Sequence, residues 1–307
     1  MDTPLSRAYA LAESQFGVAA RRQLLCLGMT EGAISHQVRV RAWSLAIPGV
    51  YDLYSSLRDG DLPRDSRLMA VQLAHPGEAA GAAPTAGRLW GLPYCQDRTV
   101  HVAVRPGLEQ AQRPGVRFHT WQVRPDDVGM RGPFLVTSAV RTTADLMLMR
   151  GREQGVAILD AALHLGYLEP ESGPRVIGAI IAGRRGCRRA RSYLRDMAVG
   201  AQSPLETRIR LIASDAGLAP DALQVPIVDP QGHVLAYGDI GWRTRRGWLI
   251  AECDGAAVHS LPPALLCDRR RQNEILLQPG FDVVRFTWGD SGRPGYVISV
   301  LRRALNR

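Results

Sequence analysis

The sequence predicts a multidomain α/β chain with an N-terminal winged helix-turn-helix, an α+β middle domain and a last block ordered α-β-β-β-α-β-α. Three observations predict it. At 307 residues the chain exceeds one ordinary core, given roughly 100 to 200 residues per domain. Its apolar residues recur at helical spacing in the first segment and alternate like strands in the middle. Residues 203 to 307 then hold four strand-like and three helix-like runs, bounded by caps and turns.

Composition narrows the partners. A hydrophobic share of 46% and a charged share of 22% belong to an ordinary globular chain. The net charge of +9 favours an acidic polymer such as DNA, although all 38 basic residues are arginine, so compositional bias also contributes to that charge. Cys26, Cys95, Cys187, Cys253 and Cys267 are odd in number and scattered, unlike a disulfide framework. With no signal-like run and no window of about 18 apolar residues, a soluble cytoplasmic protein with no membrane partner is expected.

Residues 1–58 carry the helix-turn-helix and its wing. "SRAYALAESQFG" places Ala8, Leu11, Ala12 and Phe16 near one helical face, and Gly17 ends it. A short helix, a turn at Gly28 and a Thr30 N-cap lead to a second helix whose Ile34 and Val38 face inward. Ser35, His36 and Arg39 face outward to read base edges in a major groove, with Arg41 nearer the backbone. "WSLAIPGVYDLY", broken at Pro48 and Gly49, supplies the wing. Residues 59–168 form the middle domain: "VHVAV" and "GVRFHTWQV" alternate as strands, and "FLVTSAVRTTADLMLM" runs from a strand into a helix capped by Ser138. Its histidines His75, His101 and His119 have no metal-ligand spacing and are expected at the surface or satisfied in the core.

Residues 169–202 are basic. If "GRRGCRRARSYLR" is helical, Arg184, Arg188, Arg191 and Arg195 form a stripe able to follow a phosphate backbone. In residues 203–307, Ser203, Pro204 and Glu206 have capping-box spacing at a helix start. A hairpin turning at Pro230, Gln231 and Gly232, the strand "GWLIAECDG", the helix "LPPALLCDRRRQNEILLQPG", the strand "FDVVRFTW" and a closing helix follow. Two of these apolar strands carry acids, Asp239 on one and Glu252 with Asp254 on the other, where burial makes charge costly. Residues i and i+2 of a strand share a face, so Glu252 and Asp254 project together and Cys253 points away.

Two resemblances give these patterns a meaning. The front and middle segments, with "RRQLLCLG", "IPGVY", "TAGRLWGL" and "VTSAVRTTADL", are similar to AbiEi-type antitoxins. That similarity implies a DNA-binding winged helix, autorepression and opposition to a cognate nucleotidyltransferase toxin. The last block resembles the very-short-patch-repair branch of the PD-(D/E)xK nucleases. Ser203, Leu205, Glu206 and Arg210, then Gln224, Asp239, Glu252, Asp254, Gly255 and His259, then Asp268, Arg271 and Ile275, and finally Gly280, Val283, Arg285 and Phe286 carry it. It implies a restriction-endonuclease-like domain in which Asp239, Glu252 and Asp254 bind Mg2+ or Mn2+, with Glu206 as an outer metal partner, His259 as general acid or base and Arg271 as a phosphate clamp. Asp254 stands where the superfamily name calls for lysine, and the branch commonly has aspartate there. The expected function is a metal-dependent DNA endonuclease or nickase. The alternative is a non-catalytic autorepressor in which the nuclease fold survives as a scaffold.

Overall fold

A computed structural model of the chain describes residues 3–105, 114–229, 231–254 and 280–306. The chain is a mixed α/β protein that divides into two compact units, Met1–Thr142 and Thr143–Arg307. Among the described residues, no helix is long and apolar enough to cross a membrane.

The first unit opens with α1 (Pro4–Ser14), capped by Thr3, whose side chain accepts from the Ser6 N–H. Ala8 and Ala12 are its fully buried residues, while Phe16 stands past its end and stacks on Phe134. Helices α2 (Arg21–Cys26) and α3 (Glu31–Arg39) are joined at Gly28, whose φ of +89° is a conformation glycine adopts without penalty. Thr30 caps α3 by accepting the Ala33 N–H, and Ile34 is its buried residue. Strands β1 (Val18–Ala20), β2 (Ser44–Ile47) and β3 (Val50–Asp52) form an antiparallel sheet in the order β1-β3-β2. Helices α4 (Arg64–Ala74) and α5 (Ala83–Leu89) accompany a five-stranded sheet. Its strands are β4 (Ala79–Gly81), β5 (Val100–Val104), β6 (Val116–Thr120), β7 (Val128–Arg131) and β8 (Phe134–Thr137), in the mixed order β6-β5-β4-β8-β7. Val18, Ile47 and Val50 share one apolar cluster with Leu68, Val100 and Val136, so the small sheet and the larger one bury a common core. Ser138 accepts the Arg141 N–H at the start of α6 (Ala139–Met149).

The second unit packs α7 (Arg152–His164), α8 (Gly173–Ile180), α9 (Cys187–Tyr193) and α10 (Pro204–Asp215) with a four-stranded sheet. Strands β9 (Ala222–Val228), β10 (Val234–Thr244) and β11 (Gly247–Asp254) are antiparallel, and β12 (Phe281–Thr287) joins β11 in parallel, giving the order β12-β11-β10-β9. A one-turn helix, Trp288–Ser291, and the closing helix Pro294–Leu305 follow. Leu205 and Ile209 of α10 and Val297 and Leu301 of the closing helix cover Ile240, Trp242, Leu249, Ala251 and Phe286 on one face of the sheet. The helix expected within residues 261–280 lies outside the described residues, as do His259 and Arg271.

One salt-bridge network ties α7 to α10. The Asp160 carboxylate, 2% exposed, accepts from the Ala198 N–H at 2.9 Å, the Thr207 hydroxyl at 2.7 Å and the Arg210 guanidinium at 2.8 Å. These bonds anchor the first two turns of α10, which carry Glu206, to α7 through Thr207 and Arg210. Desolvation still raises the Asp160 pKa, with Arg210 and the hydrogen bonds opposing it.

Candidate functional site

The site forms where the antiparallel ladder of the second unit stops. The β10–β11 register runs from Thr244↔Gly247 to Ile240↔Ala251. One step beyond, Asp239 stands across from Glu252, and Glu252 is in register with Arg285 of β12. Because Ala251 and Phe286 face the helices, alternation puts Glu252 and Arg285 together on the opposite face; at Asp239 the alternation of β10 is interrupted, since Gly238 and Gly241 both lie against side chains of that opposite face, Ile250 and Trp248. The Asp239 side chain is drawn into the sheet: its Oδ2 accepts the Cys253 N–H at 2.8 Å. A carboxylate thus takes a main-chain donor where the two strands part. Asp254 ends β11 and is exposed.

Glu206 approaches from α10. Ser203 caps the helix by accepting the Glu206 N–H at 3.2 Å, and the Glu206 side chain reaches past the cap to accept the Gln202 N–H at 2.9 Å. This differs from the capping-box expectation, in which the glutamate would bond the cap residue itself. Gln224 contributes its Nε2 at 3.5 Å from the same Glu206 oxygen, a long and weak contact. Gln224 is left-handed, φ +50°, in the middle of β9, between the register pairs Leu223↔Ile240 and Val225↔Gly238. A glutamine held in that region is backbone strain at the mouth of the site.

The electrostatics report crowded negative charge. Burial lifts the Glu206 pKa to about 7, and the Asp239 charge adds to the rise, against the bonds from Gln202, Ser203 and Gln224. Burial also pushes the Cys253 thiol far up, helped by Asp239, Glu206, Glu252 and Asp254 together. Cys253 packs with the core cluster, as the strand alternation predicts, and stays a thiol. The side chains that could offer hard oxygen ligands to a divalent cation are therefore Asp239, Glu252 and Asp254, with Glu206 behind them. Among the described residues, no three His, Cys, Asp or Glu side chains already converge at metal-binding distances.

The other expected residues separate. Ser35, His36, Arg39 and Arg41 are all exposed on and just after α3. The basic stripe is corrected at its start: Arg184 precedes α9 and pairs with the buried Asp145 at 2.6 Å, so it is a structural cation. Arg188 and Arg191 remain exposed on α9, and Arg195 lies beyond its end. In the first unit, His101 is buried and its Nδ1 lies 2.9 Å from His119 Nε2, while His119 stacks on Trp121. Burial and the neighbouring His101 and Arg117 charges lower the His119 pKa to about 4, which keeps His119 neutral near pH 7. Sequence reasoning missed the Gln202 N–H and Asp160 as supports for Glu206. The Ser-Pro cap signal locates Gln202 one residue upstream, but nothing in the sequence pairs Asp160 with a helix some fifty residues away.

No protein-family profile matches this chain. The chain is similar to the uncharacterized protein Rv2248 of Mycobacterium tuberculosis strain H37Rv, at 29% identity over 295 residues covering 91% of this chain and 98% of the relative. The same figures hold for the uncharacterized protein MT2308 of strain CDC 1551. Among solved structures, the crystal structure of the RV2827C protein from Mycobacterium tuberculosis is similar with a TM-score of 0.44 and 13% identity, over 72% of this chain and 83% of that chain.

Proposed function

We propose that the second unit is a Mg2+- or Mn2+-dependent nuclease acting on DNA, and that the first unit binds DNA through the exposed face of α3. The observation that carries the proposal is the grouping of Asp239, Glu252, Asp254 and Glu206 around the point where β10 and β11 part, where burial, with the Asp239 charge adding to it, lifts Glu206 to a pKa of about 7. A divalent cation bound there would polarise a phosphoryl oxygen and lower the pKa of an attacking water. Asp239, Glu252 and Asp254 would hold the cation, and Glu206 would hold or accept a proton near neutral pH. His259 and Arg271 retain the proton-transfer and phosphate-clamping roles that the nuclease resemblance implies.

A second reading, a DNA-binding regulator with the nuclease fold as scaffold, is favoured by one observation: Asp239 already has a structural duty toward the Cys253 N–H. On that reading the partner opposed is a nucleotidyltransferase toxin, following the antitoxin resemblance. Supercoiled plasmid separates the two. With Mg2+ or Mn2+ the wild type nicks or linearises it, and Glu252→Gln does neither while binding DNA as before. Undiminished cleavage by both Glu252→Gln and Asp239→Asn overturns the site assignment; DNA binding without cleavage by the wild type favours the regulator.

A further inference from the structure

At the far end of the same strands, β10 and β11 are joined by a turn that carries Arg243, Arg245 and Arg246 within four residues, all exposed. None of the three forms an ion pair among the described residues, whereas Arg152, Arg184, Arg208 and Arg210 of the same unit each engage an acid. The main chain at the end of the turn is also closely packed. Gly247 has φ +129° and sits so close to Gly280 that an added Cβ would lie 2.1 Å from its carbonyl oxygen, and the Trp248 N–H donates to that oxygen at 2.8 Å. The Arg243 guanidinium lies 4.7 Å over the Trp248 ring, which spreads it flat against the surface. The closing helix ends beside the turn: Ala304 and Asn306 line a cleft of about 420 Å³ with Arg245 and Arg246, and Arg302 and Arg303 are exposed on its last turn. Asp282 lines the same cleft.

Unpaired cations on a flexible loop are solvated and bind nothing in particular. Here the main chain that carries them is held by the Gly247–Gly280 packing and the Arg243 guanidinium by Trp248, so less ordering entropy opposes a polyanion that meets them. From Arg246 to Glu252 is six residues of strand, about 20 Å at ~3.3 Å per residue. That is the length of about six base pairs at ~3.4 Å each. We infer that this turn is a second phosphate-backbone contact of the nuclease unit, holding duplex DNA about half a helical turn from the acidic site and reading no sequence. The inference rests on the nuclease reading for what lies at the acidic end, but the contact itself is a matter of binding.

Binding is therefore measured apart from cleavage, on the full chain in chelator, with a short random-sequence duplex over a range of salt. Arg245→Gln/Arg246→Gln is expected to flatten the dependence of log affinity on log salt by about 1.8, from ~0.9 for each phosphate neutralised. Over a fourfold rise in salt the wild type then loses about tenfold more affinity than the variant. Arg245→Lys/Arg246→Lys, which keeps both charges, retains a slope near the wild type's. Arg175→Gln, a charge removed from the exposed side of α8, leaves the slope unchanged. An unaltered slope in the glutamine variant overturns the inference, as does an equal loss in the lysine variant or in Arg175→Gln, or a wild type with no salt-dependent affinity for DNA. Plasmid cleavage by a wild type whose glutamine variant binds unchanged would leave the nuclease reading standing without this contact.

Discussion

Replacing Glu206 with glutamine tests the electrostatics of the site without requiring a substrate. Glu206 is 5% exposed, and its pKa stands at about 7 against an ordinary 4.5. At ~1.36 kcal/mol for each tenfold change in proton affinity, that gap is about 3 kcal/mol. Its sign follows from proton uptake. Between pH 4.5 and about 7 the folded chain holds the Glu206 proton more tightly than the unfolded chain does, so the contribution of Glu206 to stability is fully present below 4.5 and is lost as pH rises through 7. Glutamine is neutral throughout and can still accept the Gln202 N–H through its amide oxygen. The variant is therefore expected to gain on the wild type by about 3 kcal/mol between pH 4 and pH 8, with the whole gain inside that window. Urea unfolding in chelator, with the transition of the second unit fitted separately, measures the difference. Adding Asp239→Asn should shrink the gain, because Asp239 supplies part of the rise in Glu206. A stability difference that is flat across the window, or that shrinks as pH rises, refutes the picture of a buried carboxyl destabilised by its own charge.

Two further substitutions test the framework that carries the site. Asp160→Ala leaves the Arg210 guanidinium, 9% exposed, buried without its carboxylate, and a loss of about 3 to 5 kcal/mol is expected in thermal melting. Asp160→Asn, which keeps an acceptor for the Ala198 N–H, should lose less; equal losses would mean that the ion pair contributes nothing beyond hydrogen bonding. Gly247→Ala should cost more than the ~1 to 3 kcal/mol of strained backbone alone, since its Cβ would collide with the Gly280 carbonyl, whereas at Gly49, φ +78° and with nothing within 4 Å, only the backbone term applies. Similar melting temperatures for the two alanine variants would show that the turn yields.

Local signals in the sequence carried most of the element order. Ser203 and Pro204 mark the start of α10 because a cap and a fixed φ act within four residues, and Gly28 with Thr30 marks the α2–α3 turn for the same reason. The acids at 239, 252 and 254 were legible because charge in an apolar strand is costly wherever the strand lies. What stayed hidden depends on residues brought from afar. Arg184 belongs to a basic run until Asp145, far back in the chain, takes it out of that run. The left-handed Gln224 interrupts no pattern that alternation can register, since Leu223 and Val225 are apolar on either side of it. Asp160 resembles any acid on a helix until α10 packs on it.

The bond from the Cys253 N–H to Asp239 bears on how ancestry should be read from this site. An oxygen acceptor at that position closes the gap left where the strands separate, and a chain that had abandoned every reaction would still be selected to keep one. Inheritance of Asp239 in a descendant therefore testifies to the sheet before it testifies to a chemistry, and a lineage that traded it for asparagine could have surrendered the ion while preserving the seam.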